Sequence, residues 1–376
     1  LGLDVFDSLS GTLDLVTGLT YRVKLLNWIQ GLNDDGTPRL ELEDAIHSRP
    51  VVINYSSGKQ IVYIGTNSGY LHGFDTGTGQ EVFSIIPKEL LGNPHFYKSP
   101  EYASNDNKIY GIDGPLTYWH DDKNLNGAVD SNEKVYLYAA LRRGGHSYYA
   151  FDVTNPDNPS LKWQKHGPYI LTRHNKNIPE ISSGYERLGQ TWSSLKPVMI
   201  EWNGQNKVVL VAGGGYDPYE DGDSLSGPSS RQVNQVGNTV YIIDAENGDI
   251  LWNAYDDLPA LQDSMTNAIP ADIAPIDRDA DGLVDLLYAS DVGGRVWRFD
   301  LNQKDGEFAT GGLIADMNDS ANNGISDNRR FYNRPDVSYI KDVKKPFLLV
   351  SIGSGYRAHP LNTEISDSIF LIKDNN

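Results

Sequence analysis

The 376-residue chain contains no cysteine. That single absence excludes disulfide scaffolds, thiolate zinc sites and thiol catalysis. No run of about 18 apolar residues occurs, so the sequence holds no transmembrane helix. Positive charge is scarce as well: 32 Lys and Arg stand against 50 Asp and Glu, a net charge of −18. Such a chain does not bind nucleic acid or an anionic membrane face unaided, and its surface attracts cations instead. Catalytic signatures are missing too. There is no Gly-x-Ser-x-Gly elbow and no His-Glu-x-x-His pattern. The glycine-rich stretches at 213–218 and 353–357 lack the Lys-Ser/Thr and the helix of a phosphate loop, and their glycines are expected to let strands turn sharply. The chain opens at Leu1 with neither methionine nor a signal sequence, which leads us to expect a fragment of a longer protein.

What is present is a β-rich composition, 39% hydrophobic and 10% aromatic with 37 glycines and 22 tyrosines, as a folded β-protein requires. The most informative stretch is Asp277-Arg278-Asp279-Ala280-Asp281-Gly282-Leu283-Val284-Asp285. Carboxylates occupy the first, third, fifth and ninth places, with glycine at the sixth for the sharp turn. Hard cations take oxygen ligands, and Ca²⁺ accepts six to eight of them. The spacing predicts a Ca²⁺ loop with ligands from Asp277, Asp279, Asp281, the Leu283 carbonyl and Asp285. The twelfth place is Tyr288 rather than the glutamate of an EF-hand. The flanks read as short strands instead of helices, so the loop is expected to join a hairpin.

From position 50 onward a repeat emerges. Each unit opens on a proline and a short apolar stretch: Pro50-Val51-Val52, Pro115-Leu116-Thr117, Pro197-Val198-Met199, Pro270-Ala271-Asp272 and Pro335-Asp336-Val337. A second strand follows, then a third ending in a hydrophobic-Asp pair such as Phe74-Asp75 or Ile243-Asp244. In two units a glycine four places on (Gly79, Gly248) makes a turn into a fourth strand. Repeated units of four short strands describe an all-β chain, a β-propeller. Five units are clear, with insertions expected at 87–109, 164–187, 214–237 and 301–333. The expected division is an N-terminal lead-in over 1–40, with a helix within Leu13–Gln30, and a propeller over 41–376.

The second unit carries a matching loop at the same place, Asp122-Lys123-Asn124-Leu125-Asn126-Gly127-Ala128-Val129-Asp130, with Glu133 at the twelfth position. Asp122, Asn124, Asn126, the Ala128 carbonyl and Asp130 form a second candidate Ca²⁺ site, weaker because it has fewer charges. A plain Asn-Gly turn would leave the same pattern. Glu220, Asp221 and Asp223 read as a solvated acidic loop, His47 as a hydrogen-bonded anchor, and Trp163, Trp252 and Trp297 as inter-blade packing.

Ile46-His47-Ser48-Arg49-Pro50-Val51-Val52, Gly69-Tyr70-Leu71-His72-Gly73-Phe74-Asp75, Ile112-Asp113-Gly114-Pro115, the 213–218 segment and the Asp277–Asp285 loop together resemble the C-terminal domain of the PilY/PilC family of type IV pilus-associated proteins. The resemblance covers the chain from about Asn27 to its end. It implies a modified seven-bladed propeller outside a Gram-negative cell, at the pilus or outer membrane. It also implies a pilus-biogenesis and adhesion factor, linked to virulence, whose partners are pilus components or a host or abiotic surface. Calcium in the loop matching 277–285 would then oppose pilus retraction and tune twitching motility. The retraction ATPase is cytoplasmic, so that effect is indirect. No Arg-Gly-Asp motif occurs here, and integrin binding does not carry over.

Two other classes compete with this non-catalytic reading. A quinoprotein dehydrogenase propeller also repeats Asp-x-x-x-Gly before Trp, as Asp244 to Trp252 do, but that class sets a vicinal disulfide beside its pyrroloquinoline quinone. A sugar-binding adhesin has the aromatic supply it needs.

Overall fold

The structure is a computed structural model and describes residues 20–98, 108–168, 179–222, 231, 233–301, 308–318, 325–341 and 345–375. Among these residues five antiparallel sheets follow one another along the chain. The first is β1 (Val51–Asn54), β2 (Gln60–Gly65), β3 (Leu71–Asp75) and β4 (Glu81–Ile85). The second is β5 (Leu116–His120), β6 (Val135–Ala140), β7 (Ser147–Asp152) and β8 (Ser160–His166). The third comprises β9 (Lys196–Trp202), β10 (Gln205–Gly213), β11 (Val240–Asp244) and β12 (Ile250–Asn253). The fourth comprises β13 (Ala274–Ile276), β14 (Leu286–Ser290), β15 (Arg295–Asp300) and β16 (Thr310–Asp316). The fifth has three strands, β17 (Asp336–Ile340), β18 (Phe347–Gly353) and β19 (Ile369–Asp374). Strands pair in chain order within every sheet, which is the blade pattern of a propeller.

Contacts divide the chain into two compact units, the first made of Leu1–Gly145, Phe151–Leu161 and Tyr169–Glu180, the second of the remainder. In the second unit, side-chain alternation shows how blades stack. Leu287 and Ala289 of β14 join Trp297 and Phe299 of β15 in a cluster with Val209, Val211, Ile242 and Trp252 of the third sheet. Leu286 and Tyr288, one residue out of phase, join Leu348, Val350 and Ile352 of the fifth. Because successive strand residues point to opposite faces, a continuous apolar run such as Leu286-Leu287-Tyr288-Ala289 serves two neighbours at once. Each buried leucine of that run contributes roughly 1.5–3 kcal/mol. The tryptophans sit as expected. Trp252 packs edge-on against Phe299, and the Trp163 indole donates to the Ala245 carbonyl at 3.2 Å. In the first unit Phe83 of β4 meets Phe151 of β7 in the same edge-on manner.

The hydrophobic-Asp ending has a local cause. The Asp75 carboxylate accepts the amides of Gly77 and Thr78, and Gly79, at φ +72°, returns its amide to the Asp75 carbonyl. Asp244 and Gly248 repeat that turn, with the Glu246 amide on the Asp244 carboxylate. At Gly214 a Cβ would lie 2.4 Å from the Gly237 carbonyl oxygen, so glycine is required there by close backbone approach.

Three expectations are corrected. The fourth unit's first strand is Ala274–Ile276 rather than 270–272. The earlier residues are drawn elsewhere: the Ile269 carbonyl takes the Gly215 amide, and the Asp272 carboxylate takes the Ser194 amide. The span 301–333, expected to be an insertion, holds β16, whose Thr310-Gly311-Gly312 start is a weak strand former placed by pairing with β15. Glu220, expected in a solvated loop, is only 1% exposed. Asp223 lies outside the described residues, as do 13–19 of the lead-in, whose helix α1 spans Tyr21–Ile29 and is capped by Thr20. Five sheets are described, against the seven blades that the family resemblance implies.

His146 supplies a pH test of this core. Burial pushes its imidazole down to about 4, and it does the same to His166. A histidine held neutral in the fold binds its proton more readily once unfolded. Its stabilising contribution is therefore complete above pH 6.5 and is lost as pH falls toward 4, by about 3 kcal/mol for His146 at roughly 1.4 kcal/mol per unit. Asp291, pushed up to about 6 by burial, works in the opposite sense. The readout is therefore a comparison: urea unfolding of His146→Gln should depend less on pH between 6.5 and 4 than that of the wild type.

Candidate metal centre

Ile276 pairs with Leu286, so residues 277–285 form the hairpin loop between β13 and β14. Its backbone curls where residues 280 and 282 adopt positive φ, +64° at Ala280 and +91° at Gly282. This curl aims amides at carboxylates. Asp277 accepts from Ala280 at 2.7 Å, Asp281 at 3.2 Å and Gly282 at 2.8 Å. Asp279 accepts the Asp281 amide, Asp281 accepts that of Leu283, and Asp285 accepts that of Arg278 at 2.7 Å. The outcome is convergence: carboxylate oxygens of Asp277, Asp279 and Asp285 all lie within 4.8 Å of one another. Asp281 is not one of the three.

Three carboxylates this close repel by about 1 kcal/mol per pair in water and about 4 near a protein surface. An ion bound at 2.3–2.6 Å spaces its opposite ligands by at most about 5.2 Å, so the observed cluster has the dimensions of a Ca²⁺ cage. Asp277, Asp279 and Asp285 are the residues that would hold such an ion, and their spacing fits it. A bound cation would cancel the repulsion and tie together both strands of the hairpin.

Residues 122–130 lie in the longer connection between β5 and β6 and repeat the curl of the first loop. Leu125 and Gly127 have φ of +57° and +74°. The Asn126 and Gly127 amides reach Asp122 at 3.1 and 2.9 Å, and the Ala128 amide reaches Asn126. The chemistry inside differs. The side-chain amides of Asn124 and Asn126 both donate to the Asp130 carboxylate, at 2.7 and 3.1 Å, doing internally what a cation would do. With Asn124 the first cause, these bonds hold Asp130 below the usual carboxylate range. The titratable cluster is a different one from the predicted ligand set: Asp122 groups with His120 and Glu133. Buried Glu133 accepts the amides of Asp130 and Lys123 and pairs with His120 at 3.0 Å. His120, two residues before the loop, was not anticipated. Its only sequence signal was proximity to Asp122.

Asn124 and Asn126 already satisfy Asp130, so this loop should bind calcium at least tenfold more weakly than 277–285. In calorimetry, Asp285→Ala should leave only a weak step, and Asp122→Ala should remove that step alone.

His47 anchors as expected. Its Nδ1 lies 2.9 Å from the buried Asp113 carboxylate, which also accepts from Arg142 at 3.1 Å.

Four-stranded blades in chain order, one of them carrying an acidic loop on its first hairpin, define a β-propeller. Residues 53–326 match the family described as the PilY1 beta-propeller domain, and the chain belongs to that family. The type IV pilus biogenesis factor PilY1 of Pseudomonas aeruginosa strain PAO1 is 30% identical over 244 residues, 64% of this chain and 17% of the relative. A PilY1 homolog of Xylella fastidiosa is 27% identical over 269 residues, 66% of this chain and 14% of the relative. The chain thus spans less than a fifth of the length of these curated relatives. The crystal structure of the Pseudomonas aeruginosa PilY1 C-terminal domain matches with a TM-score of 0.51 at 23% identity, over 85% of this chain and 58% of that one. It has the same fold.

Proposed function

We propose that this chain is a non-catalytic, calcium-binding module of a type IV pilus biogenesis and adhesion factor. It acts at the cell surface, associated with the pilus or outer membrane, and calcium in the 277–285 loop biases pilus extension against retraction and thereby tunes twitching. The observation that carries the reading is the gathering of the Asp277, Asp279 and Asp285 carboxylates within 4.8 Å. Membership in the PilY1 propeller family, whose curated relatives are named pilus biogenesis factors, supports the pilus context.

The backbone offers a route from ion to surface. The Asp285 amide bonds Ile276 of β13, its carbonyl takes the Leu301 amide after β15, and the Val284 amide bonds Met199 of β9. Ordering the loop therefore braces strands of the third and fourth sheets. A cavity of about 420 Å³ lies against it, bordered by Arg278, Asp285, Glu201 and Leu301, and presents a surface on which a pilus component can sense the loop. The test is a pair of variants in the full-length protein. Asp285→Ala imitates the ion-free loop, while Asp285→Lys sets a positive charge where the ion would sit. With both proteins folded, surface piliation should change in opposite directions. The same phenotype in both would make the loop a structural staple and end the regulatory reading.

A further inference from the structure

We propose that a second site, distinct from the 277–285 loop, binds a neutral saccharide. A cavity of about 500 Å³ in the first unit is walled by the β1–β2 turn, the end of the 122–130 loop and the β7–β8 turn. That volume lies within the roughly 300–1,000 Å³ of small-molecule sites. Of its twelve lining residues seven are serine, threonine or asparagine, two are the aspartates Asp130 and Asp152, and none is lysine, arginine or histidine.

This composition selects a ligand class. Hydroxyl and amide groups both donate and accept, and carboxylates accept, so a ligand dense in hydroxyls finds partners on every wall. A phosphate, sulfate or uronate meets two carboxylates and no cation, and is repelled. The cavity's apolar side chains are Tyr55, Val129 and Pro156, of which Tyr55 and Val129 are each only 5% exposed, so no large apolar side chain stands open for a hydrophobic peptide. The walls are also fixed before a ligand arrives. The Tyr55 hydroxyl donates to the Val153 carbonyl at 2.7 Å, the Ser56 amide to Val129, and the Val129 amide to Asn54. Asp152 holds the Thr154 amide at 3.0 Å, which sets the opposite turn. Preorganised polar groups bind without the ordering cost of a mobile site. Nothing in this site requires an ion in the neighbouring loop.

The experiment presents the purified chain to immobilised neutral, sialylated and sulfated oligosaccharides, then titrates the strongest neutral glycan by calorimetry. Neutral glycans should bind and acidic ones should not. Ser57→Trp, at an exposed turn position beside Gly58, fills the cavity without touching a strand and should weaken binding at least about tenfold. Asp152→Asn keeps an acceptor for Thr154 while removing a charge, so it should begin to admit acidic glycans. Thermal unfolding of both variants should match the wild type. No neutral glycan bound at roughly 10 mM, equal binding of acidic glycans, or undiminished binding by Ser57→Trp would each overturn the proposal.

Discussion

Asp285→Ala should abolish the larger, tight-site part of the calcium-dependent stabilisation of this chain. A ligand that binds only the folded state stabilises it by RT ln(1 + [L]/Kd), about 2.7 kcal/mol at a hundredfold excess over Kd. For a sensor-range site of about 10⁻⁷–10⁻⁵ M that excess is roughly 10 µM to 1 mM calcium. Asp285 carries a double duty, since its carboxylate belongs to the gathered cluster and also fixes the Arg278 amide. Alanine removes both. In the wild type, calcium should raise the unfolding midpoint while magnesium, which demands a smaller octahedral shell, should move it little. In the variant calcium should leave only the small residual shift of the weaker 122–130 loop, and magnesium should again do little. Asp285→Asn separates the two duties. It keeps an acceptor for Arg278 and lowers the charge, so it should bind calcium more weakly than wild type yet leave the ion-free stability unchanged. A variant that retained the full calcium shift would place the ion elsewhere.

The second large effect concerns Glu220 and Arg330. Both are 1% exposed, and the guanidinium Nε donates to the Glu220 carboxylate at 3.1 Å. Asn234 donates to the other carboxylate oxygen, the Tyr356 hydroxyl donates to the Glu220 carbonyl, and the guanidinium lies 3.9 Å over the Tyr356 ring. Burial pushes Glu220 above the ordinary glutamate range while Arg330 and Asn234 pull it back. Removing one partner strands a buried charge, so Glu220→Ala or Arg330→Met should each cost about 3–5 kcal/mol. The double variant Glu220→Leu with Arg330→Met leaves no stranded charge and should recover most of that loss. Urea denaturation checks all three. Single variants within about 1 kcal/mol of wild type would mean that the pair is solvated after all.

What could be read ahead of the structure was local. The aspartate that ends a third strand caps its own turn within four residues, and cation ligands at alternate places sit in one loop, so both appear in sequence spacing. β14 was legible because an unbroken apolar run allows little else. Glu220 was not: its burial is decided by Arg330, 110 residues away. His120 escaped because its partner Glu133 lies across the hairpin. β16 escaped because Gly311 and Gly312 carry no strand preference and are paired by the register of β15. The two Asn of the 122–130 loop showed that its charge was low, but not that their amides would turn inward onto Asp130.

Whether residues 277–285 hold calcium is decided by calorimetric titration of calcium into the intact, chelator-stripped chain. One tight step with Kd on the order of 10⁻⁷–10⁻⁵ M is expected, lost in Asp285→Ala and not reproduced by magnesium. Absence of any calcium-dependent heat up to roughly millimolar ion, or a tight step that survives Asp285→Ala, would contradict it.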